Sequence, residues 1–147
     1  MNEYIIKELN SELEGVIMGE NEITKLLEKA KDYKVIDLLD TTLSIAEKNR
    51  VAITEQIVKL GGKPTEDEGM WGKMVEVFNS IKEANVDTDK EILQTAIKGT
   101  EMGFKAILDF LIKEKNLEEN FKRELVELSD EYAINIKEMQ EYLIELN

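Results

Sequence analysis

The sequence predicts an all-α protein: an up-down four-helix bundle of two helical hairpins, with a short crossover helix between helices two and three. Three observations carry this. Apolar residues recur alternately three and four positions apart over four long stretches, a spacing that gathers them on one face of a helix. The first two stretches and the last two are separated only by short polar turns, near residues 32 and 115, which makes each pair antiparallel neighbours. Leu60-Gly61-Gly62-Lys63-Pro64 supplies a sharp exit from the second helix, because glycine suits a left-handed C-cap and proline prevents continuation.

Helix one is expected over 2–30, with a seam of Ile5 or Ile6, Leu9, Leu13, Val16, Glu20, Ile23, Leu27 and Ala30. Asp32 is placed to cap helix two, 33–61, whose seam reads Ile36, Leu39, Leu43, Ala46, Arg50, Ile53, Ile57 and Leu60. Glu20 interrupts the first seam and Arg50 the second. Thr65-Glu66-Asp67-Glu68 is a capping box that opens the crossover helix, 66–84, with Trp71, Met74, Val75, Phe78 and Ile81 on its apolar face. Thr88-Asp89-Lys90-Glu91 repeats the pattern and starts helix three, 89–114, with Leu93, Ala96, Thr100, Gly103 or Phe104, Ile107 and Phe110 or Leu111 inward. Asn116-Leu117-Glu118-Glu119 follows the same logic for helix four, 117–146. Its seam is Phe121, Leu125, Leu128, Tyr132, Asn135 or Ile136, Met139, Leu143 and Leu146. The whole chain, 1–147, reads as one domain.

Composition narrows function by exclusion. The chain is 42% hydrophobic and 35% charged, too apolar for disorder, and it has no apolar run long enough to span a bilayer. Its start, Met1-Asn2-Glu3-Tyr4, lacks the basic and small-residue signals of a secretory leader, so a cytoplasmic protein is expected. Without cysteine there is no disulfide, thiolate nucleophile or Cys-based zinc site, and without histidine the commonest general base and metal ligand are gone. A net charge of −13 opposes nucleic acid and anionic membranes as partners. No serine stands beside a base, and Gly61-Gly62 ends a helix rather than opening one, so neither nucleophilic catalysis nor a phosphate loop is indicated.

Polar groups then mark the candidate sites. Helices one and three each carry Gly-x-x-x-Gly, Gly15 to Gly19 and Gly99 to Gly103. Each glycine costs about 0.5–1 kcal/mol against alanine, which calls for a packing or functional reason. Folding the hairpins about their turns brings Glu20 level with Glu47, and Glu101 level with Glu131. Four carboxylates on one layer is how di-iron and di-manganese bundles are built, although those add Glu-x-x-His on two helices. Here the tetrads read Glu47-Lys48-Asn49-Arg50 and Glu131-Tyr132-Ala133-Ile134, with an arginine where a histidine would stand. Carboxylates alone still suit a divalent ion such as Fe, Mn or Ca. The plainer reading puts Glu47, Glu101 and Glu131 on solvated flanks and gives Arg50 a contact that fixes helix register, with Glu14 nearer in level than Glu20 and the long guanidinium stem able to reach either. Thr100, Tyr132 and Asn135 belong to a polar part of the core.

Leu9-Asn10, Gly19, Asp32, Leu60-Gly61-Gly62-Lys63-Pro64, Gly69, Trp71-Gly72, Gly99 and Tyr132 together resemble the landmarks of a bacterial ferritin-like family of unknown function, over nearly the whole chain. The resemblance implies a ferritin-like bundle with possible metal-binding ancestry. It also implies a glutamate after the helix-three glycine and a histidine in helix four, where this chain has Thr100 and Met139. Both departures remove ligands. The expectation is therefore a non-enzymatic binding or association module with no cofactor, making contact with a protein partner or a second copy through Met70, Trp71 and Met74. The alternatives are a carboxylate-only divalent metal bundle (Glu20, Glu47, Glu101, Glu131) and a carrier of an apolar ligand in space left by the glycines.

Overall fold

The computed structural model describes residues 2–67 and 86–146. Four long helices make the structure: α1 (Asn2–Lys29), α2 (Tyr33–Lys59), α3 (Asp89–Lys113) and α4 (Glu119–Glu145). Their bounds match the expected spans to within a residue or two. The predicted crossover helix, with Met70, Trp71 and Met74, lies outside the described residues, apart from Glu66 and Asp67 at its start.

Helix ends follow local chemistry. Asp32 caps α2, accepting from the Lys34 and Val35 backbone N–H groups at 2.8 and 3.1 Å. Thr88 and Glu91 form the complete capping box of α3. The fourth start differs from expectation. Helix α4 begins at Glu119 with Glu118 at the cap position and no side-chain cap bond, because the Glu118 carboxylate is taken by Lys59 Nζ at 2.7 Å.

α2 ends in a Schellman motif: the Gly62 N–H donates to the Ile57 carbonyl at 2.9 Å and the Gly61 N–H to Val58 at 3.0 Å, with Gly61 at φ +86°. Asn10 of α1 then clamps the exit. Its Nδ2 donates to the Lys63 carbonyl at 3.1 Å, and its Oδ1 accepts from the Thr65 N–H at 2.8 Å.

Side-chain contacts fix the directions. Tyr4 and Glu8, early in α1, bond Glu114 and Lys113 at the end of α3. Asp89 at the start of α3 accepts from the backbone N–H groups of Lys31 and Asp32, and Tyr142 near the end of α4 donates to Asp32. So α1 and α4 run one way, α2 and α3 the other. Each helix packs on two antiparallel neighbours: α1 on α2 and α3, α4 on α2 and α3. The connection from α2 to α3 therefore begins at one end of the bundle and finishes at the other, where Val86 is buried.

Two apolar clusters fill the bundle. One is built around Leu9, Leu13, Ile53, Ile57, Phe110 and Phe121, the other around Ile23, Leu39, Ile92, Leu93, Ala96 and Met139. Inward faces of α3 and α4 agree with the expected seams. That of α2 agrees only in part. Its buried residues are Val35, Leu38, Leu39, Thr42, Ile45, Ala46, Asn49, Ala52, Ile53, Gln56 and Ile57, so Ile36, Leu43, Arg50 and Leu60 stand at the edge. Two three-and-four registers interleave on this helix, and the buried one carries the polar Thr42, Asn49 and Gln56. Apolar content alone finds Leu39, Ala46, Ile53 and Ile57 but misses these three. In α1, similarly, Met18 and Leu26 are buried where Val16 and Leu27 were expected to lead.

Asn10→Ala should lower the unfolding free energy by about 1–2 kcal/mol in urea denaturation, since it strands two backbone groups. Asn10→Asp, which keeps the bond from Thr65, should cost less.

Candidate functional site

Midway along the bundle the two apolar clusters are separated by polar side chains. The Thr42 hydroxyl sits against Asn135 Oδ1, and Asn135 Nδ2 donates to the Leu38 carbonyl at 3.2 Å, which ties α4 to α2 through fully buried groups. Thr100 turns its hydroxyl back to the Ala96 carbonyl at 2.7 Å. Tyr132 is buried, and burial pushes its phenol up to about 12; the hydrogen-bonded Asn49 amide pulls the other way, and Glu20 and Glu131 add to the rise. The phenol is thus a neutral group at all ordinary pH. Asn49 is 2% exposed, and among the described residues its Oδ1 has no hydrogen-bond partner.

These groups open onto a cleft of about 670 Å³ along the α1–α3 face. Both glycine elements line it: Gly15 and Gly19 from α1, Gly99 and Gly103 from α3. At Gly19 and Gly103 the missing side chain does different things. A Cβ built at Gly19 would meet nothing within 4 Å, whereas one at Gly103 would lie 3.6 Å from the Tyr132 ring. One glycine leaves the cleft open and the other seats the tyrosine. Asn49, Thr42, Thr100 and Tyr132 border the cleft from the bundle interior, and Val16, Met18, Ile23, Ala46 and Ile107 give it apolar walls. Glu12 stands on the same lining. Burial first, then Glu8 and Asp109, push its carboxyl up to about 7, and Lys113, which is 3.0 Å from Glu8, offsets this only in part.

The carboxylate layer is not assembled. Glu20 accepts from Arg50 Nε at 2.7 Å, Glu131 from Lys48 Nζ at 2.6 Å, and Glu47 and Glu101 are exposed. Among the described residues no three Asp or Glu side chains gather as an ion site. The helix rotation that buries Asn49 turns Glu47 outward. The expected nearness of Arg50 to Glu14 is also corrected: Arg50 meets Glu20, about 9 Å of helical rise further along α1, and Glu14 is half-buried on its own. Burial raises the Glu20 carboxyl and Arg50 draws it back down. The pair is half-open, with the Arg50 side chain 41% exposed. Thr100, Tyr132 and Asn135 are buried, as expected of a polar core.

Sequence reading missed Thr42, Asn49 and Glu12. The first two are seven residues apart on α2, in register with Val35 and Gln56, and that periodicity was the available signal. Glu12 gives none, being one acidic residue among many.

An all-α four-helix bundle with one long connection and a glycine-lined cleft is the class that this geometry defines. The family model DUF2383, described as a domain of unknown function, matches residues 4–113, and the chain belongs to that family. No curated protein and no solved structure gives a match. Among the described residues no helix is long and apolar enough to cross a membrane.

Two outcomes follow. Arg50→Met should lower stability by about 1–2 kcal/mol at pH 7, less than the roughly 3–5 of a fully buried pair, and the loss should shrink as the pH is lowered and Glu20, whose carboxyl burial raises, takes up a proton. Glu12 holds its proton to about pH 7 when folded but only to about 4.5 when unfolded, so the folded state binds more protons in that window. Its contribution therefore falls as pH rises from about 4.5 to about 7 and is flat above. Glu12→Gln should exceed wild type by about 1–3 kcal/mol at pH 8, with the gap closing toward pH 4.5 in urea denaturation.

Proposed function

We propose that this protein is a non-enzymatic, ferritin-like binding bundle whose working surface is the α1–α3 cleft. The observation that carries the reading is the pair of Gly-x-x-x-Gly elements facing one space of about 670 Å³, within the range of small-molecule sites. Four glycines in helix interiors are expensive, and among the described residues nothing packs closely enough on Gly19 to explain it. Absence of histidine and cysteine, and a buried phenol held neutral, support binding over chemistry. Association through Met70, Trp71 and Met74 remains part of the proposal as a separate contact.

The test is a titration with Nile red, a neutral apolar dye. Wild type should enhance its fluorescence with one-to-one stoichiometry, and Gly19→Leu, which fills the cleft and suits a helix better than glycine, should lose most of that response while keeping its helical circular dichroism. Equal responses from the two proteins would count against the cleft. Light scattering after size exclusion reads the association branch, which a monomer at high concentration sinks.

A further inference from the structure

The geometry points to a ligand class for the cleft: a neutral apolar molecule carrying a hydroxyl or N–H donor, which it buries against Asn49 Oδ1. This rests on the binding reading above and specifies what is bound.

A buried amide oxygen without a partner leaves the desolvation of a strong acceptor uncompensated, and native interiors contain few such atoms. Asn49 is nearly inaccessible, borders the cleft, and offers one unsatisfied atom there, the acceptor Oδ1. Its neighbours do not supply the missing donor. The Thr42 hydroxyl is engaged with Asn135 and the Leu38 carbonyl, and the Thr100 hydroxyl with the Ala96 carbonyl. Tyr132 and Asn49 already share one hydrogen bond, which lowers the phenol's pKa and so uses the amide's N–H end, not its oxygen. Among the described residues no donor reaches this oxygen, and a ligand entering the cleft supplies one.

The body of the ligand follows from the walls. Glycine backbone on two facing helices and the side chains of Val16, Met18, Ala46 and Ile107 favour an apolar, flat group. Charge disfavours anions, chiefly through the chain as a whole. Glu12, Glu22, Glu28 and Asp109 outnumber Lys25, Lys29 and Lys105 around the cleft, and the chain carries −13 overall. A sufficient cleft, apolar walls and one buried acceptor describe an aromatic alcohol or an indole-type N–H compound.

Indole and 1-methylindole form the test pair, read on wild type by amide chemical-shift perturbation of Gly19, Thr100 and Gly103. Methylation removes the donor and adds apolar area, so area alone would tighten binding. The proposal expects 1-methylindole to bind about tenfold more weakly, the equivalent of one hydrogen bond of about 1.4 kcal/mol. Asn49→Leu should erase the difference; it removes the unpaired acceptor together with the bond to Tyr132, and unchanged helical circular dichroism checks that the bundle stays folded. Equal affinities in wild type would overturn the donor requirement and leave the cleft reading standing. No perturbation of the cleft amides by either compound at millimolar concentration would overturn both. A tenfold difference that persists in Asn49→Leu would place the acceptor elsewhere and overturn the assignment to Asn49.

Discussion

The polar layer between the two apolar clusters is the constraint on which the rest of the bundle depends. Aliphatic seams slide past one another at little cost, because hydrophobic contact has no direction. Thr42, Asn135 and the Leu38 carbonyl do not slide, since a shift along the axis would strand buried donors and acceptors. That contact sets α2 against α4 in both register and rotation. Once α2 is rotated to bury Asn49 and Thr42, Arg50 must stand at the helix edge, where it meets Glu20, and Glu47 must face water.

The same rotation decides what kind of site the bundle has. In a di-metal bundle the mid-level positions hold inward carboxylates. Here that level holds amides, hydroxyls and a phenol, all neutral, beside space left by glycines. Burial is cheap for such groups once they are paired, whereas four inward carboxylates without a cation would repel strongly. Neutral polar lining next to a cleft suits recognition through hydrogen bonds. Glu12 is the exception, a carboxyl held in the cleft lining with its pKa near neutrality.

The ends of the bundle are organised by different means. Asp32 gathers the start of α2 and the Tyr142 hydroxyl of α4, and Asp89 joins α3 to the turn between α1 and α2. Asn10 holds the exit of α2 to α1. These short side-chain-to-backbone contacts place both ends of the long connection, which leaves beside Asn10 and returns at Val86 near Ile23 and Leu26.

What the sequence determined by itself was the number, length and order of the four long helices, the cap at Asp32, the Thr88–Glu91 box and the glycine exit at Gly61-Gly62. All of these rest on interactions within a few residues. Rotation about a helix axis is not local. On α2 the buried face takes only half of the expected seam, Leu39, Ala46, Ile53 and Ile57, because Thr42 and Asn49 find partners on α4 that no nearby sequence reveals. The tertiary structure alone decided that Arg50 pairs with Glu20 rather than Glu14, that the four carboxylates stay apart, and that glycines far apart in the chain face one cleft. Each follows from contacts between helices, where the chain distance is long and the side-chain reach is short.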